Sequence, residues 1–436
     1  MGAGASAVSK ETQSAIEALP DAAKAELKAL ASPYLRTSLP QPIKDVQADA
    51  SKTCVQRVQE SIDAIMKSEG DLNACIEILS ESALKIAAEA DAKLAEGGTR
   101  RPLEGVPLLV KGNVDYAGTL STAAMEGFAG WKPTTTAPVV QKLVDAGAIP
   151  VAKTTLPEAA FGMWGWSSLH GLTKNAHNEG YTSGGSSTGT AVGLAAGFAC
   201  AGLGSDTEGS LRGPADFAGI VGMRVTMGRY SSEGVVPCNI KHDTGACALV
   251  EPAARPMGFD RLPPCPMLSP LPSAPVKCFR CPLADPEVPP PDRPTRPAFP
   301  HAAGPMATTA SDVAMIDAII TGTAPTDYAA ADLKGMTIAF PPDLTGKDLA
   351  PGQSKALALA KEALTKAGAT VKEDTAAFAP LAAAPEGSIV NEVSFRQEGF
   401  DEYLKSHPSC KLTTEEVMEK SFYVRLTPPH ALLPRL

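Results

Sequence analysis

Apolar positions recur every three to four residues early in the chain. Ile16, Leu19, Ala23, Leu27 and Leu30 fall on one helical face, and Val55, Val58, Ile62 and Ile65 on another. That period predicts helices from Glu11 to Gly97, with Ala83 to Glu96 as the last of them and Gly97-Gly98 as its stop. The pattern then changes. Short apolar runs at Val106 to Val110, Ala148 to Ala152 and around Leu203 alternate with helical stretches at Ala137 to Ala146 and Ala191 to Ala201. Such alternation predicts an α/β layer architecture. It resumes after Pro305, with a helix over Thr309 to Ile320, a strand over Met336 to Phe340, a helix over Gly352 to Ala367 and a strand from Thr370.

Residues 246–303 interrupt the alternation. They hold 16 of the 39 prolines and show no hydrophobic period, which predicts a disordered or extended insert outside the core. Composition narrows the function classes. With 39 Lys+Arg against 48 Asp+Glu the chain carries a net charge of −9, so it lacks the basic excess that a nucleic-acid backbone demands. No apolar run reaches membrane-span length and no secretory leader pattern opens the chain, which points to a cytoplasmic protein without stable membrane insertion. Met1-Gly2-Ala3-Gly4-Ala5-Ser6 fits an N-myristoylation acceptor at Gly2, a pattern that small residues also satisfy by chance. Nine cysteines in a chain this long argue for free thiols rather than a disulfide scaffold. Cys278 and Cys281 have metal-ligand spacing but no second ligand pair, so no zinc site is expected there; no other metal or organic cofactor is expected either.

The segment richest in chemistry is Gly184-Gly-Ser-Ser-Thr-Gly-Thr190, followed by small residues and then by Gly204-Ser-Asp-Thr-Glu-Gly-Ser-Leu-Arg-Gly-Pro214. A glycine-rich turn opening into a helix aims several N–H groups at one spot, an anion or oxyanion site in outline; a plain loop has the same composition. A phosphate-binding P-loop would need lysine where Thr190 follows Gly189. A nucleophile elbow is a second reading, since Gly185-Ser-Ser187-Thr-Gly189 satisfies G-x-S-x-G, but the stretch before it is polar, and its histidine would have to be His242, His301, His407 or His430. A third reading makes lysine the base: Lys111 ends a buried apolar run, where desolvation lowers an ammonium pKa.

Pro107-Leu-Leu-Val-Lys111-Gly-Asn-Val, Ala146-Gly-Ala-Ile-Pro-Val-Ala-Lys153-Thr, Gly184-Gly-Ser-Ser187 and Gly204-Ser-Asp-Thr-Glu-Gly-Ser210-Leu-Arg-Gly-Pro-Ala215 resemble the successive blocks of the amidase signature family, in order and spacing. The resemblance spans roughly Ala83 to Gly245 and resumes at Gly304-Pro-Met-Ala307. Gly228-Arg-Tyr-Ser231, Val235-Val-Pro237 and Asp243-Thr-Gly245 look more like mandelamide and indoleacetamide hydrolases than like the transamidosome subunit.

The resemblance implies a mixed central sheet flanked by helices, with a helical N-terminal cap, and hydrolysis of a small carboxamide to carboxylate and ammonia through an acyl-enzyme. It implies Ser210 as nucleophile, Ser186 as bridging serine and Lys111 as neutral base. Backbone N–H groups of Thr207, Glu208, Gly209 and Ser210 would form the oxyanion hole, and Phe161 and Gly162 would belong to the substrate wall. Ser187 would support as a hydrogen-bond donor only, and Asp206 with Arg212 would fix the loop. Glu208 and Gly112 depart from the family's usual glycine and aspartate. The domain reading is a cap over 1–100, a signature core over 101–245, the insert over 246–303 and a C-terminal part over 304–436 that stops short of the family's usual end. A homodimer is compatible with this reading. The alternatives are a non-catalytic binding protein with the same fold and a histidine-dependent hydrolase using Ser187.

Overall fold

Ten strands appear among the described residues: β1 (Cys75–Ile78), β2 (Pro107–Lys111), β3 (Ile149–Thr154), β4 (Trp166–Ser167), β5 (Gly171–Leu172), β6 (Ala201–Asp206), β7 (Val221–Gly222), β8 (Ala302–Ala307), β9 (Thr337–Ala339) and β10 (Thr370–Lys372). The computed structural model describes residues 42–207, 209–226, 228–237, 302–324, 333–340, 351–373 and 400–419. Six strands form one sheet in the order β1-β3-β2-β6-β8-β7. Its centre, β3-β2-β6, is parallel, and β1, β8 and β7 join antiparallel, so the sheet is mixed. β4 and β5 make a separate antiparallel hairpin.

Period-two alternation along β2 divides the core into two layers. Leu109 packs on one face, with α2 (Cys54–Leu72), α3 (Ser80–Ala95), α5 (Thr188–Ala195) and α6 (Arg212–Ala218). Leu108 and Val110 pack on the other, with α1 (Ile43–Ala48), α4 (Pro138–Asp145) and α7 (Ala310–Thr321). By the same alternation Lys111 shares the Leu109 face, where α5 lies. A third cluster joins Phe128 to Phe400, Tyr403 and Val417, which docks helical residues 400–406 and α9 (Thr414–Glu419). Residues 333–340 and 351–373 belong to a second compact unit, where β9 and β10 pair in parallel and α8 (Pro351–Lys366) packs on β10.

Small residues let α5 reach the sheet. A Cβ on Gly189 would stand 2.1 Å from the Ala74 carbonyl oxygen, and one on Gly193 2.7 Å from Leu109 Cδ1. α2 starts where the sequence signals it should: Thr53 and Gln56 close a reciprocal capping box, with Gln56 N–H donating to Thr53 Oγ1 at 3.1 Å and Thr53 N–H to Gln56 Oε1 at 2.8 Å.

Three expectations need correction. The predicted helical cap contains β1, whose residues join the sheet edge beside β3; at four residues it is too short to register in a 3.6-residue pattern. The helix predicted over Ala191 to Ala201 runs instead from Thr188 to Ala195, because Ala201 opens β6. Ala302 and Ala303, placed in the insert, are the first residues of β8 and pair with Asp206 and Ser205. Residues 246–301, the helix predicted from Glu11, the Gly2 acceptor, Glu208 and the chain's last residues lie outside the described residues. Among the described residues no helix is long and apolar enough to cross a membrane, and Cys54, Cys75, Cys200 and Cys410 are free thiols.

Candidate active site

Lys111 ends β2 with its side chain fully buried on the α5 face. Its Nζ lies 2.7 Å from Ser186 Oγ, 3.1 Å from Ser187 Oγ and 2.8 Å from Ser205 Oγ. Ser186 and Ser187 stand in the turn entering α5, where the Gly185–Ser186 peptide is cis. Gly184, at φ 71°, allows that turn its left-handed step; a Cβ there would also meet Pro214 Cα at 2.9 Å. Ser187 Oγ both donates to the Ser205 carbonyl and accepts from the Ser205 N–H, each at 3.1 Å. The expectation that Ser187 only donates is therefore corrected: its oxygen serves β6 in both directions. Ser205 Oγ in turn accepts from Asn113 Nδ2 at 3.1 Å.

Ser210 follows β6 and is 8% exposed, whereas Ser186 and Ser187 are sealed. The two serine loops meet through the backbone, the Ser187 N–H donating to the Ser210 carbonyl at 3.0 Å. Asp206 holds the second loop from within. Its carboxylate accepts from the Gly209 N–H at 2.7 Å, the Leu211 N–H at 3.0 Å and the Arg212 guanidinium at 3.0 and 3.2 Å, with Arg224 at 3.5 Å. Burial alone would raise this carboxyl, but the Arg212 hydrogen bonds and charge, with the two N–H donors, hold it below the usual carboxylate range. One oxyanion expectation is thereby corrected: the Gly209 N–H points at Asp206 and is not offered to a ligand.

Residues 162 and 163 pack against the turn that carries Ser186. The carbonyl oxygen of Gly162 lies 2.5 Å from where a Gly185 Cβ would stand, and Met163 Cα lies 3.1 Å from that point. Phe161 is half-buried beside Ala124, Leu156 and Ala160. Two alanine pairs lie in the left-handed region: Ala123 and Ala124 at φ 45° and 57°, Ala159 and Ala160 at φ 53° and 55°. They are tied by the Ala159 N–H donating to the Ala123 carbonyl at 2.8 Å. Each such alanine costs about 1 kcal/mol against its usual conformation. His170 Nε2 lies 3.1 Å from Thr122 Oγ1, and burial pushes this imidazole down to about 4.

The sequence reading did not single out Ser205 and Asn113. Both lie inside the quoted blocks, Ser205 just before Asp206 and Asn113 two residues after Lys111. A polar residue closing an otherwise apolar strand was the signal available. The elbow reading gains no support among the described residues, and three of its four candidate histidines, His242, His301 and His430, lie outside them. Ser187 Oγ is engaged by Lys111 and β6, while His407 packs on Asp115, Tyr403 and Ser406.

Comparison with known proteins places this site in context. Residues 56–248 match the sequence model of the Amidase family. The chain is 40% identical over 194 residues to a glutamyl-tRNA(Gln) amidotransferase subunit from Brachyspira hyodysenteriae, covering 44% of this chain and 40% of that one. It is 36% identical over 179 residues to the mandelamide hydrolase of Pseudomonas putida, covering 40% and 35%. The chain thus spans about two fifths of the length of these curated relatives. Identities this close do not reproduce the preference for hydrolases over the transamidosome subunit that the motifs suggested. Among solved structures, the peptide amidase of Stenotrophomonas maltophilia superposes with a TM-score of 0.63 at 25% identity, over 89% of this chain and 71% of that one.

Proposed function

We propose that this chain, residues 56–248 of which match the sequence model of the Amidase family, hydrolyses a small carboxamide to carboxylate and ammonia with Lys111, Ser186 and Ser210 as its triad. The observation that carries this reading is the buried Lys111 amine 2.7 Å from Ser186 Oγ. A count of hydrogens supports the direction of proton flow. Ser187 gives its hydroxyl hydrogen to the Ser205 carbonyl, so its oxygen meets Lys111 as an acceptor. Ser205 Oγ accepts from Asn113 Nδ2 and has Asn113 Oδ1 at 3.5 Å as the acceptor of its own hydrogen, which leaves it placed to accept from Lys111 as well. A neutral amine has two N–H bonds and one lone pair. With N–H bonds directed at Ser187 and at Ser205, whose hydroxyl and carbonyl oxygens lie 2.8 and 3.5 Å from Nζ, Ser186 is the partner this mechanism assigns to the lone pair.

In this mechanism Lys111 takes the proton of Ser186 while Ser186 takes that of Ser210, and Ser210 Oγ attacks the amide carbonyl. The step requires a neutral amine at Lys111, whose side chain is fully buried. The relay then reverses: the proton returns through Ser186 to the departing nitrogen, ammonia leaves, and water hydrolyses the Ser210 ester by the same route. With the Gly209 N–H held by Asp206, oxyanion stabilisation rests on the remaining backbone donors of the loop, foremost the Ser210 N–H. A well-aimed donor of this kind contributes about 3 kcal/mol to the barrier.

The test is ammonia release by the purified chain from a panel of aryl, aliphatic and amino-acid carboxamides, glutamine included. The proposal expects turnover that disappears in both Lys111→Ala and Ser210→Ala. A folded chain that binds amides but turns none over would favour the non-catalytic alternative. Turnover confined to glutamine would align it with the amidotransferase relatives.

A further inference from the structure

A second lysine is sealed in the core with no part in the triad. Lys153 stands on β3 beside Val110 of β2, fully buried. Its Nζ donates to the Val114 carbonyl and lies 3.3 Å from Ser121 Oγ. These two contacts fall at the two ends of the loop that leaves β2 at Lys111. At the near end, the Val114 N–H donates back to the Lys111 carbonyl at 2.9 Å; at the far end, the Ala123 N–H donates to the Gly112 carbonyl at 3.0 Å. One ammonium therefore grips a loop whose first residue is the amine-bearing Lys111.

The charge on Lys153 is answered from two sides. Glu77 is its register partner on β1, and the Glu77 carboxylate is itself bridged by Lys132 at 2.8 Å. Asp115, fully buried in the same loop, accepts from Tyr403 Oη at 2.9 and 3.1 Å and faces His407 Nε2 at 2.9 Å. Burial pushes the Lys153 amine down to about 8, with Asp115 and Glu77 opposing that shift.

We propose that Lys153 is a positioning residue for Lys111: by holding Val114 and Ser121 together it fixes the loop that aims the Lys111 amine at Ser186. This rests on the reading of Lys111 as base. Nothing in the hydrolysis needs Lys153 to touch substrate, and a merely structural lysine would change how much protein folds, not how fast the folded protein turns over.

The experiment compares wild type with Lys153→Met, Lys111→Ala and Ser121→Ala, each scored per folded molecule by cooperative melting. The readouts are kcat, KM and the pH profile of kcat/KM. Displacement of a catalytic group by an ångström costs up to about 100-fold, so Lys153→Met should lose about 10- to 100-fold in kcat with KM within about twofold. Its acid limb should also move, because a displaced Lys111 amine is protonated in changed surroundings. Should Lys153→Met fail to fold, Ser121→Ala decides: kcat lower by about threefold or more at unchanged KM supports the proposal, and wild-type kcat overturns it. Wild-type kcat and an unmoved acid limb in folded Lys153→Met overturn it too. If Lys111→Ala remains active, the base assignment fails instead, which separates the two failures.

Discussion

Ser205 and Ser187 share one chemical duty at the residue scale in the proposed mechanism, receiving N–H bonds of Lys111 so that its lone pair is turned to Ser186. Ser205→Ala should lower kcat by about 10- to 100-fold at little changed KM, since misdirecting a general base forfeits much of its contribution. Steady-state kinetics at several pH values check this; unchanged kcat would mean that Lys111 needs no such guidance. Asp206 has a different duty. Because its folded pKa lies below the ordinary value, its contribution to stability is present above about pH 4 and is lost as pH falls through the folded pKa. Asp206→Asn should cost about 3 kcal/mol, leaving two backbone donors and Arg212 facing an uncharged amide. Urea unfolding of the variant at pH 7 measures that loss, and a change below about 1 kcal/mol would refute the assignment of Asp206 as the loop's anchor. What the sequence disclosed here was residue type and spacing. It did not disclose that the Gly209 N–H turns inward, because the direction of a peptide N–H depends on loop dihedrals that composition does not set.

Element by element, the sequence was most legible where the hydrophobic period was longest. α4 and α7 differ from their expected spans by a residue at either end, and β2 shifts by one. β1 and the early end of α5 were missed because four-residue strands and glycine-rich helices carry little period. α5 depends on its glycines most sharply at Gly189, whose added Cβ would overlap backbone rather than a movable side chain. Gly189→Ala should therefore destabilise by about 3 kcal/mol and displace Ser186 and Ser187 together; a melting curve like the wild type's would contradict this. The docking of residues 400–419 carries its own pH signature. Burial would lower the His407 pKa, but hydrogen bonds to Asp115 and the Tyr403 carbonyl, with the Asp115 charge, raise it above the usual value. A raised imidazole stabilises fully below about pH 6.5, and that contribution is lost as pH rises through the folded pKa. Hydrogen exchange across residues 400–419 should thus speed up above neutrality in wild type, while His407→Gln should exchange at a rate nearly independent of pH after correction for intrinsic chemistry. Equal pH dependence in both would place the switch elsewhere.

Taken as a whole molecule, the chain is an amidase-signature α/β fold in which two serine loops and one strand end converge through elements far apart in sequence. The family blocks were readable because they combine glycine at points of close approach with hydroxyls at fixed spacing, which few other folds need. The contribution of β8 was hidden by the proline-rich stretch before it. Since Ala302 and Ala303 pair with Asp206 and Ser205, the segment we regard as dispensable to the core is 246–301, not 246–303. Joining Gly245 to Ala302 should leave the melting temperature unchanged or higher, whereas joining Gly245 to Gly304 should lower it by stripping β6 of two partners. Calorimetry on the two deletions separates them, and a large loss in the first would make the segment structural.

The central claim is that Ser210 is the nucleophile and Lys111 its base. Its most direct measurement is covalent labelling by a fluorophosphonate probe, followed by peptide mapping, in wild type, Ser187→Ala, Ser210→Ala and Lys111→Ala. The account predicts label on the Ser210 peptide in wild type and Ser187→Ala, none in Ser210→Ala, and labelling in Lys111→Ala slowed by at least about 100-fold at pH 7. Label on the Ser187 peptide, or labelling of Ser210 at the wild-type rate without Lys111, would contradict it.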